Sequence, residues 1–365
     1  MMGACSPMRR TLALLAFSLL LSAGRANAAG VTVGVAAPLS GHFSLLGKQL
    51  REGAETAAAS FSGGTVTLDM QDGRCSAEGG AAAANEFVRN GADIVIGFLC
   101  NDAIDAAMPI LKKAGIVVIT PGVRTDSLTE DRRKTGWPVF RMAPRIDEEG
   151  EAVGAILTDH WRNVLFAIVD DGTIYGRGLA DALRADAERR GIKPAFFDTY
   201  RPGMDNQVGL AFRLRRAGVS HVFVGGARDD IAIIGRDAAK IHLRLEIAGG
   251  EALRAPAGDV PLAAGTLMIA PPDWTNPDNP AVSEQLKKAG IAPEGYVLPA
   301  YAALEVATSA VLQAARAKKP VFDILSSGTF QTAIGPVRFD DEGDLAQNPY
   351  RLFRYDGNAF VEGNK

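Results

Sequence analysis

Short apolar, β-branched runs alternate with longer stretches of helical composition from residue 31 onward. In the first part of the chain these predicted strands and helices occupy, in order, residues 31–37, 47–60, 65–71, 77–90, 93–97, 102–114 and 117–120. Strands that alternate with amphipathic helices at this spacing are typical of parallel sheets built from right-handed strand–helix–strand units. The pattern therefore predicts an α/β fold.

The alternation restarts after an irregular stretch at about 140–147. The predicted elements of this second run are 147–160, 164–169, 177–190, 195–200, 207–217, 221–224, 229–241 and 244–248. A second irregular stretch, 270–280, is dense in Pro, Asn and Asp and predicts a connector. A predicted helix at 298–317 and a tail of strand and turn residues at 335–361 follow it. Two runs separated by connectors predict two similar lobes joined by several crossings of the chain.

The N-terminus has the parts of a cleavable export signal. Residues 8–10 are Met-Arg-Arg, and the apolar stretch at 11–23 is too short to span a bilayer comfortably. Ala26-Asn27-Ala28 provides the small residues of a signal peptidase site, so residues 1–28 are predicted to be a signal peptide. An exported α/β protein lies away from cytoplasmic nucleotides and reducing power, which favours solute capture over catalysis.

The composition predicts a soluble protein with two lobes. Removal of 28 of the 365 residues leaves 337, which is long for a single core. The leader carries three of the 39 basic residues and none of the 42 acidic ones, so the mature chain has a net charge of about −6. No basic run interleaves with aromatic residues, so neither nucleic acid nor an anionic membrane surface is expected as a partner. No uninterrupted run of apolar residues after the leader approaches 18 residues, so the mature chain is not expected to be membrane-embedded.

Two cysteines, Cys75 and Cys100, remain once Cys5 is removed with the leader. An even pair in an oxidising compartment favours a disulfide, and two free buried thiols or a metal site are the alternatives. Closure of a loop of about 25 residues would stabilise the fold by roughly 3 kcal/mol in the chain-entropy model.

No catalytic arrangement is recognisable in the sequence. The four histidines lack metal-ligand spacing, and the chain contains no G-x-S-x-G elbow, no P-loop and no G-x-G-x-x-G after a predicted strand. No enzyme activity, no cofactor and no bound metal are therefore expected. Loops that follow predicted strands instead collect Gly, Ser, Thr, Asn and ionisable residues, at 40–41, 99–102, 120–125, 173–176 and 249–251. Ligands of open α/β sheets bind at the carboxyl ends of strands, so these loops predict a solute site.

A series of motifs follows a characteristic order along the mature chain. They are VTVGVAAPLSG, QDGRC, VIGFLC, VVITPGVRTDSLT, VDDGTIYGRGLADAL, FVGGARDD, AGGEAL, YAALEVATSAV and IGPVRFDDEGDL. In this order they resemble the periplasmic leucine/isoleucine/valine-binding proteins of ABC importers, which have the type I periplasmic-binding-protein fold. QDGRC and VIGFLC match the segments that carry a disulfide in that family, which implies a bridge between Cys75 and Cys100.

The resemblance implies an α/β fold of two doubly wound lobes, with central, mainly parallel sheets and three crossover segments. Residues 29–143 and 274–349 would form lobe 1, and residues 144–273 and 350–365 would form lobe 2. A solute would be trapped between the lobes by hinge closure. The implied function is a monomeric periplasmic substrate-binding component that delivers amino acids of the branched-chain type, or related small carboxylates, to ABC permease subunits. A ligand-sensing receptor domain that reports to a signalling partner is the alternative.

The resemblance also implies a set of ligand-binding residues. The position after Cys100 that offers donors to a ligand carboxylate is Asn101, and Gly122 fits the small residue that follows the fourth strand. Tyr175, in IYGRG, matches the aromatic residue that covers the ligand. Glu251, in GGEAL, matches the carboxylate that meets the ligand's ammonium group.

Three implied site positions depart from the family pattern. Leu46 and Ala227 stand where the family has aromatic residues, and Arg124 stands where it has a threonine hydroxyl. An inward-pointing Arg124 would hold a carboxylate with its guanidinium fork, whereas an outward-pointing one would leave that contact to Asn101. If Arg124 pairs with Glu251, an amino acid loses the acceptor of its ammonium group and a different solute is indicated.

Overall fold

The computed structural model describes residues 30–275, 277 and 279–363, so the predicted signal peptide lies outside the described residues. The strands are β1 (Val31–Ala37), β2 (Val66–Asp72), β3 (Ile94–Gly97), β4 (Val117–Thr120), β5 (Val139–Arg141), β6 (Phe166–Asp170), β7 (Phe196–Thr199), β8 (His221–Gly225), β9 (Glu246–Gly249), β10 (Leu267–Ala270), β11 (Thr329–Thr332), β12 (Gly335–Arg338), β13 (Arg351–Tyr355) and β14 (Phe360–Glu362). The helices are α1 (Ser44–Ser60), α2 (Ala77–Asn90), α3 (Asn101–Ala114), α4 (Ser127–Glu130), α5 (Arg132–Thr135), α6 (Glu148–His160), α7 (Ile174–Arg189), α8 (Val208–Ala217), α9 (Arg228–Lys240), α10 (Pro280–Ala289), α11 (Val297–Ala317) and α12 (Val321–Ser327). A 3₁₀ turn covers Glu251–Arg254.

The first sheet is parallel throughout, with the strand order β2-β1-β3-β4-β5. Strands β3 and β4 are buried at every position, as expected for central strands of a sheet that helices cover on both faces. Helices α1 and α11 pack on one face, and α2 and α3 pack on the other. The carboxyl ends of β1, β3 and β4 therefore lie side by side at one edge.

The second sheet has the strand order β14-β13-β10-β9-β8-β6-β7. Strands β10, β9, β8, β6 and β7 run parallel to one another. Strands β13 and β14 extend the sheet beyond β10 with antiparallel pairing. Helices α6 and α7 cover one face, and α8 and α9 cover the other. The carboxyl ends of β6, β8 and β9 form the second edge.

The chain passes between the two sheets three times within the described residues. It leaves the first sheet after β5 and enters α6, which packs against α7. It returns after β10 to α10, which contacts α1. It passes once more after the β11–β12 hairpin, because β13 joins the second sheet. This arrangement confirms the predicted fold class.

Short elements are where the sequence-based prediction of structure was wrong. Phe140 and Arg141 lie in a stretch predicted to be irregular, but they belong to β5, which at three residues is too short to show periodicity. Helix α10 follows the predicted connector, and it starts with two recognisable signals. The Asn279 side chain accepts from the Ala281 N–H at 3.0 Å, and Pro280 occupies the first turn.

The disulfide between Cys75 and Cys100 is present, with Cα atoms 5.2 Å apart, and confirms that prediction. It joins the residues that precede α2 and α3, two helices that pack against each other. Among the described helices only α11 is long and apolar enough to cross a membrane, and 72% of its apolar window is buried inside the protein. Helix α11 packs against α1 and β3, so it acts as a core helix of the first lobe.

Candidate functional site

The predicted site residues lie at the carboxyl-end edges of the two sheets. Leu46 lies on α1, Asn101 opens α3, Gly122 and Arg124 follow β4, Tyr175 lies in the first turn of α7, Ala227 precedes α9, and Glu251 follows β9. Both edges belong to parallel strands, and the strand order changes direction between β1 and β3 in one sheet and between β6 and β8 in the other. Such reversal points open a crevice, which is where α/β sheets bind ligands.

Arg124 connects the two lobes directly. Its Nη1 donates to Glu251 Oε1 at 2.7 Å, so a residue after β4 of the first sheet meets a residue after β9 of the second. Its Nη2 donates to the Tyr350 hydroxyl, and its Nε donates to the Pro144 carbonyl at 3.1 Å. The Arg124 and Glu251 side chains are 30% and 26% exposed, so the pair is partly shielded from water.

A buried carboxylate organises the second-lobe side of the site. Glu149, in the first turn of α6, is 3% exposed. Its Oε1 accepts from the Tyr175 hydroxyl at 2.8 Å and from the Glu251 N–H at 2.7 Å. The Tyr175 hydroxyl also accepts from the Ala252 N–H at 3.3 Å, and Glu251 Oε2 accepts from the Tyr350 hydroxyl at 2.9 Å. Helices α6 and α7, the 3₁₀ turn and the last crossover therefore meet in one network.

Burial and neighbouring charges shift the pKa values of the ionisable groups in this network. Burial raises the pKa of Glu149 to about 7, and the nearby Glu251 carboxylate adds to the increase. Burial alone would lower the pKa of Arg124, but Glu251 raises it above its usual value. Burial and neighbouring carboxylates raise the pKa of Tyr175 and of Tyr350, so both hydroxyls stay protonated and serve as neutral donors.

The first-lobe side of the site is partly aromatic and closely packed around Gly122. A Cβ placed on Gly122 would stand 2.5 Å from Leu99 Cδ2 and 3.0 Å from the Tyr296 ring, so a side chain at this position displaces both walls. Tyr296 is half-buried, and it lies near enough to Arg124 for that charge to oppose the burial-induced increase in the tyrosine pKa. Gly122 therefore allows the larger side chains of Leu99 and Tyr296 to pack close to the end of β4.

The start of α3 offers donors to an anion. Cys100 occupies the N-cap position without a side-chain hydrogen bond to the helix, and Asn101 and Asp102 are exposed in the first turn. Unpaired N–H groups at a helix N-terminus, together with the helix dipole, favour negatively charged groups. This end of α3 is consistent with the contact predicted for Asn101.

The hydrogen bonds among the described residues join Arg124, Tyr175 and Glu251 and do not include the Asn101 side chain. Leu46 is half-buried, and Ala227 is exposed. Arg228, the neighbour of Ala227, donates to the Leu253 carbonyl at 2.6 Å. The ligand contacts of all seven predicted residues, Leu46, Asn101, Gly122, Arg124, Tyr175, Ala227 and Glu251, stay predictions.

Two residues central to this network were missed in the sequence. Glu149 lies in the first turn of α6, which follows a crossover. Acidic residues are common at this position because they interact favourably with the helix dipole, so the sequence contains no sign of a special role. Tyr350 lies where the chain returns to the second sheet, and nothing local distinguishes it from a core tyrosine. No group of three or more His, Cys, Asp and Glu side chains within the described ranges could hold a metal ion.

Comparisons with known proteins agree with this architecture. A sequence model of the family described as periplasmic binding protein matches residues 30–359. The chain is 30% identical over 351 residues to the Leu/Ile/Val-binding protein homolog 2 of Brucella abortus (strain 2308), which covers 92% of this chain and 93% of the relative. It is 29% identical over 346 residues to the Leu/Ile/Val-binding protein BraC3 of Rhizobium johnstonii, across 91% and 94% of the two chains.

A solved structure of a putative branched-chain amino acid ABC transporter from Rhodospirillum rubrum superposes with a TM-score of 0.77 at 18% identity. This superposition covers 92% of this chain and 100% of the other. At that identity the likeness supports the fold, while the sequence relatives and the family match support common descent. The chain belongs to the periplasmic binding protein family.

Proposed function

We propose that the protein is the periplasmic substrate-binding component of an ABC importer, and that it captures an amino acid of the branched-chain type or a related small carboxylate by closing its two lobes. The contact between Arg124 and Glu251 carries this proposal. It places charged side chains from both sheet edges in one crevice, which is the geometry that a ligand shared by two lobes requires. The names of the Brucella and Rhizobium relatives support the ligand class.

Each lobe would supply part of the ligand site. Residues 29–143 and 274–349 would form lobe 1 and contribute Leu46, Asn101, Gly122 and Arg124. Residues 144–273 and 350–365 would form lobe 2 and contribute Tyr175, Ala227 and Glu251. The tyrosine is 38% exposed, which leaves its ring accessible to a ligand although its hydroxyl is held by Glu149.

The protein would act as a delivery component and not as an enzyme. After export under its signal peptide, residues 1–28, a soluble monomer would present its closed form to the permease subunits in the membrane. The network contains carboxylates, tyrosines and one guanidinium, and it contains no activated Ser or Cys nucleophile paired with a base. Binding would therefore leave the solute chemically unchanged.

A thermal-shift screen tests the proposed function. The exported protein is melted with a library of amino acids, 2-oxo acids and other small carboxylates. A ligand that binds only the folded state raises the melting temperature by mass action, so at least one compound should give a saturable increase. The Tyr175→Ala variant serves as the control that reports binding at this site. A melting temperature that no compound changes would contradict the proposal.

A further inference from the structure

Both oxygens of the Glu251 carboxylate already have protein donors. Oε1 accepts from Arg124 at 2.7 Å, and Oε2 accepts from Tyr350 at 2.9 Å. Arg124 cannot lose its proton under ordinary conditions, so it is a permanent cation next to this carboxylate. A ligand ammonium group that used Glu251 would have to displace Arg124 or approach it closely.

The other nearby carboxylate does not replace Glu251 as an ammonium acceptor. Glu149 is 3% exposed, and its Oε1 is occupied by the Tyr175 hydroxyl and the Glu251 N–H. Burial favours its neutral form, which attracts a cation weakly. The network thus has no free anionic group for an ammonium group of a ligand.

Donors for an anion remain in the same place. A guanidinium has five N–H groups, and among the described residues Arg124 directs one to Pro144, one to Glu251 and one to Tyr350. Two N–H groups therefore remain for a carboxylate. The exposed start of α3, at Asn101, adds helix N–H groups on the same sheet edge, one strand away from β4.

We infer that this site selects a small monocarboxylate without an α-ammonium group, such as a branched 2-oxo acid, over the corresponding zwitterionic amino acid. The inference rests on the proposed function, and it chooses between the two ligand classes named there. Arg124 is the specificity-determining residue, because its pairing with Glu251 removes the ammonium acceptor and leaves a surplus of donors for a carboxylate.

Calorimetric titration with a matched pair of ligands tests this inference. Leucine and 4-methyl-2-oxopentanoate share one carbon skeleton and differ only at the α-carbon. The wild-type protein should bind the 2-oxo acid at least about tenfold more tightly, because the amino acid brings an unpaired charge into the site. Tighter binding of leucine than of the 2-oxo acid would overturn the inference.

The Arg124→Thr variant tests the role of the arginine. It frees Glu251, so it should lose affinity for the 2-oxo acid and gain affinity for leucine. Arg213→Thr removes an equal charge from the exposed Arg213–Asp198 pair on the outside of the second lobe and should leave the preference unchanged. An unchanged preference in Arg124→Thr would count against the inference. Thermal melting of each variant verifies that it is folded.

A second variant keeps the test decisive if Arg124→Thr does not fold. Glu251→Gln preserves the shape of the side chain and removes the carboxylate that competes for Arg124, so it should bind the 2-oxo acid several-fold more tightly. Loss of measurable ligand binding on this substitution would identify Glu251 as a direct ligand contact and overturn the inference. The proposed function would survive either of these failures if leucine or another solute binds the wild-type protein, and it would fall only if no solute binds.

Discussion

The backbone N–H of Glu251 donates a 2.7 Å hydrogen bond to the buried carboxylate of Glu149. The same oxygen accepts from the Tyr175 hydroxyl, so one atom of α6 fixes both a residue predicted to cover the ligand and a residue that pairs with Arg124. A change in the charge of Glu149 should therefore alter both the stability of the second lobe and the ligand site.

Stability should fall as the pH rises through the titration range of Glu149. The pKa is raised to about 7 in the folded protein from an ordinary value near 4.5, so the folded state binds the proton more tightly. The free energy of unfolding should then decrease by up to about 3 kcal/mol between about pH 4.5 and pH 7, and this contribution should be constant above pH 7. Urea unfolding at pH 5 and at pH 8 measures the difference.

The Glu149→Gln variant should reduce this dependence on pH. Glu305 provides the matched control, because burial also raises its pKa to about 7. It lies on α11, outside the network, and it accepts a hydrogen bond from the Ala333 N–H. Glu305→Gln should reduce the dependence of the unfolding free energy on pH but leave the pH dependence of ligand affinity unchanged. Glu149→Gln should change both. Identical behaviour of the two variants would show that Glu149 has no special connection to the site.

Tyr175 should contribute to binding mainly through its ring. Tyr175→Ala should lower ligand affinity by about tenfold or more, as loss of a tyrosine at a binding contact often does. Tyr175→Phe keeps the ring and loses only the hydrogen bonds to Glu149 and Ala252, so its effect should be clearly smaller. Calorimetry on the two variants separates the contribution of the ring to ligand affinity from that of the hydroxyl. Equal losses of affinity in the two variants would contradict a covering role for the ring.

The buried pair Arg141–Asp344 should matter for stability more than any exposed pair. Arg141 is 0% exposed and Asp344 is 3% exposed, and Arg141 Nε donates to Asp344 Oδ1 at 2.8 Å. Removal of one partner leaves an uncompensated buried charge, so Asp344→Asn should cost about 3–5 kcal/mol of unfolding free energy. Glu362→Gln, in the exposed Arg351–Glu362 pair, should cost less than about 1 kcal/mol by the same denaturant measurement. Similar costs for the two variants would contradict this prediction.

The disulfide should stabilise the first lobe without forming part of the site. It closes a separation of 25 residues between Cys75 and Cys100, so the Cys75→Ser/Cys100→Ser variant should lose roughly 3 kcal/mol of unfolding free energy. Reduction of the wild-type protein with dithiothreitol should reproduce the loss and have no effect on the variant. A large change in ligand affinity at a temperature where the variant is folded would indicate a direct role for the bridge.

The sequence predicted the long elements and the edges of the sheets because those depend on local patterns. Buried strands such as Val31–Ala37 and Val117–Thr120 are continuous apolar runs, and each is followed by turn residues that mark the carboxyl end. Three-residue β5 carries too few positions to show a pattern. Four-residue β10 was missed, and one of its partners, β13, lies more than 80 positions further along the chain.

The interior of the site was harder to predict, for a different physical reason. The partner of Arg124 lies 127 positions away at Glu251, and a second partner, Tyr350, lies 226 positions away. Only the folded chain determines whether the guanidinium turns toward a ligand or toward these residues. Glu149 was missed because an acid in a first helical turn has an ordinary structural explanation until its burial is known.

Small-angle X-ray scattering of the exported protein, with and without its tightest ligand, tests lobe closure directly. Closure around a shared solute should lower the radius of gyration in a saturable way, at the ligand concentrations that saturate the calorimetric signal, and Tyr175→Ala should need a higher concentration. A scattering profile that stays the same while calorimetry reports saturated binding would mean that the two lobes do not close over the ligand.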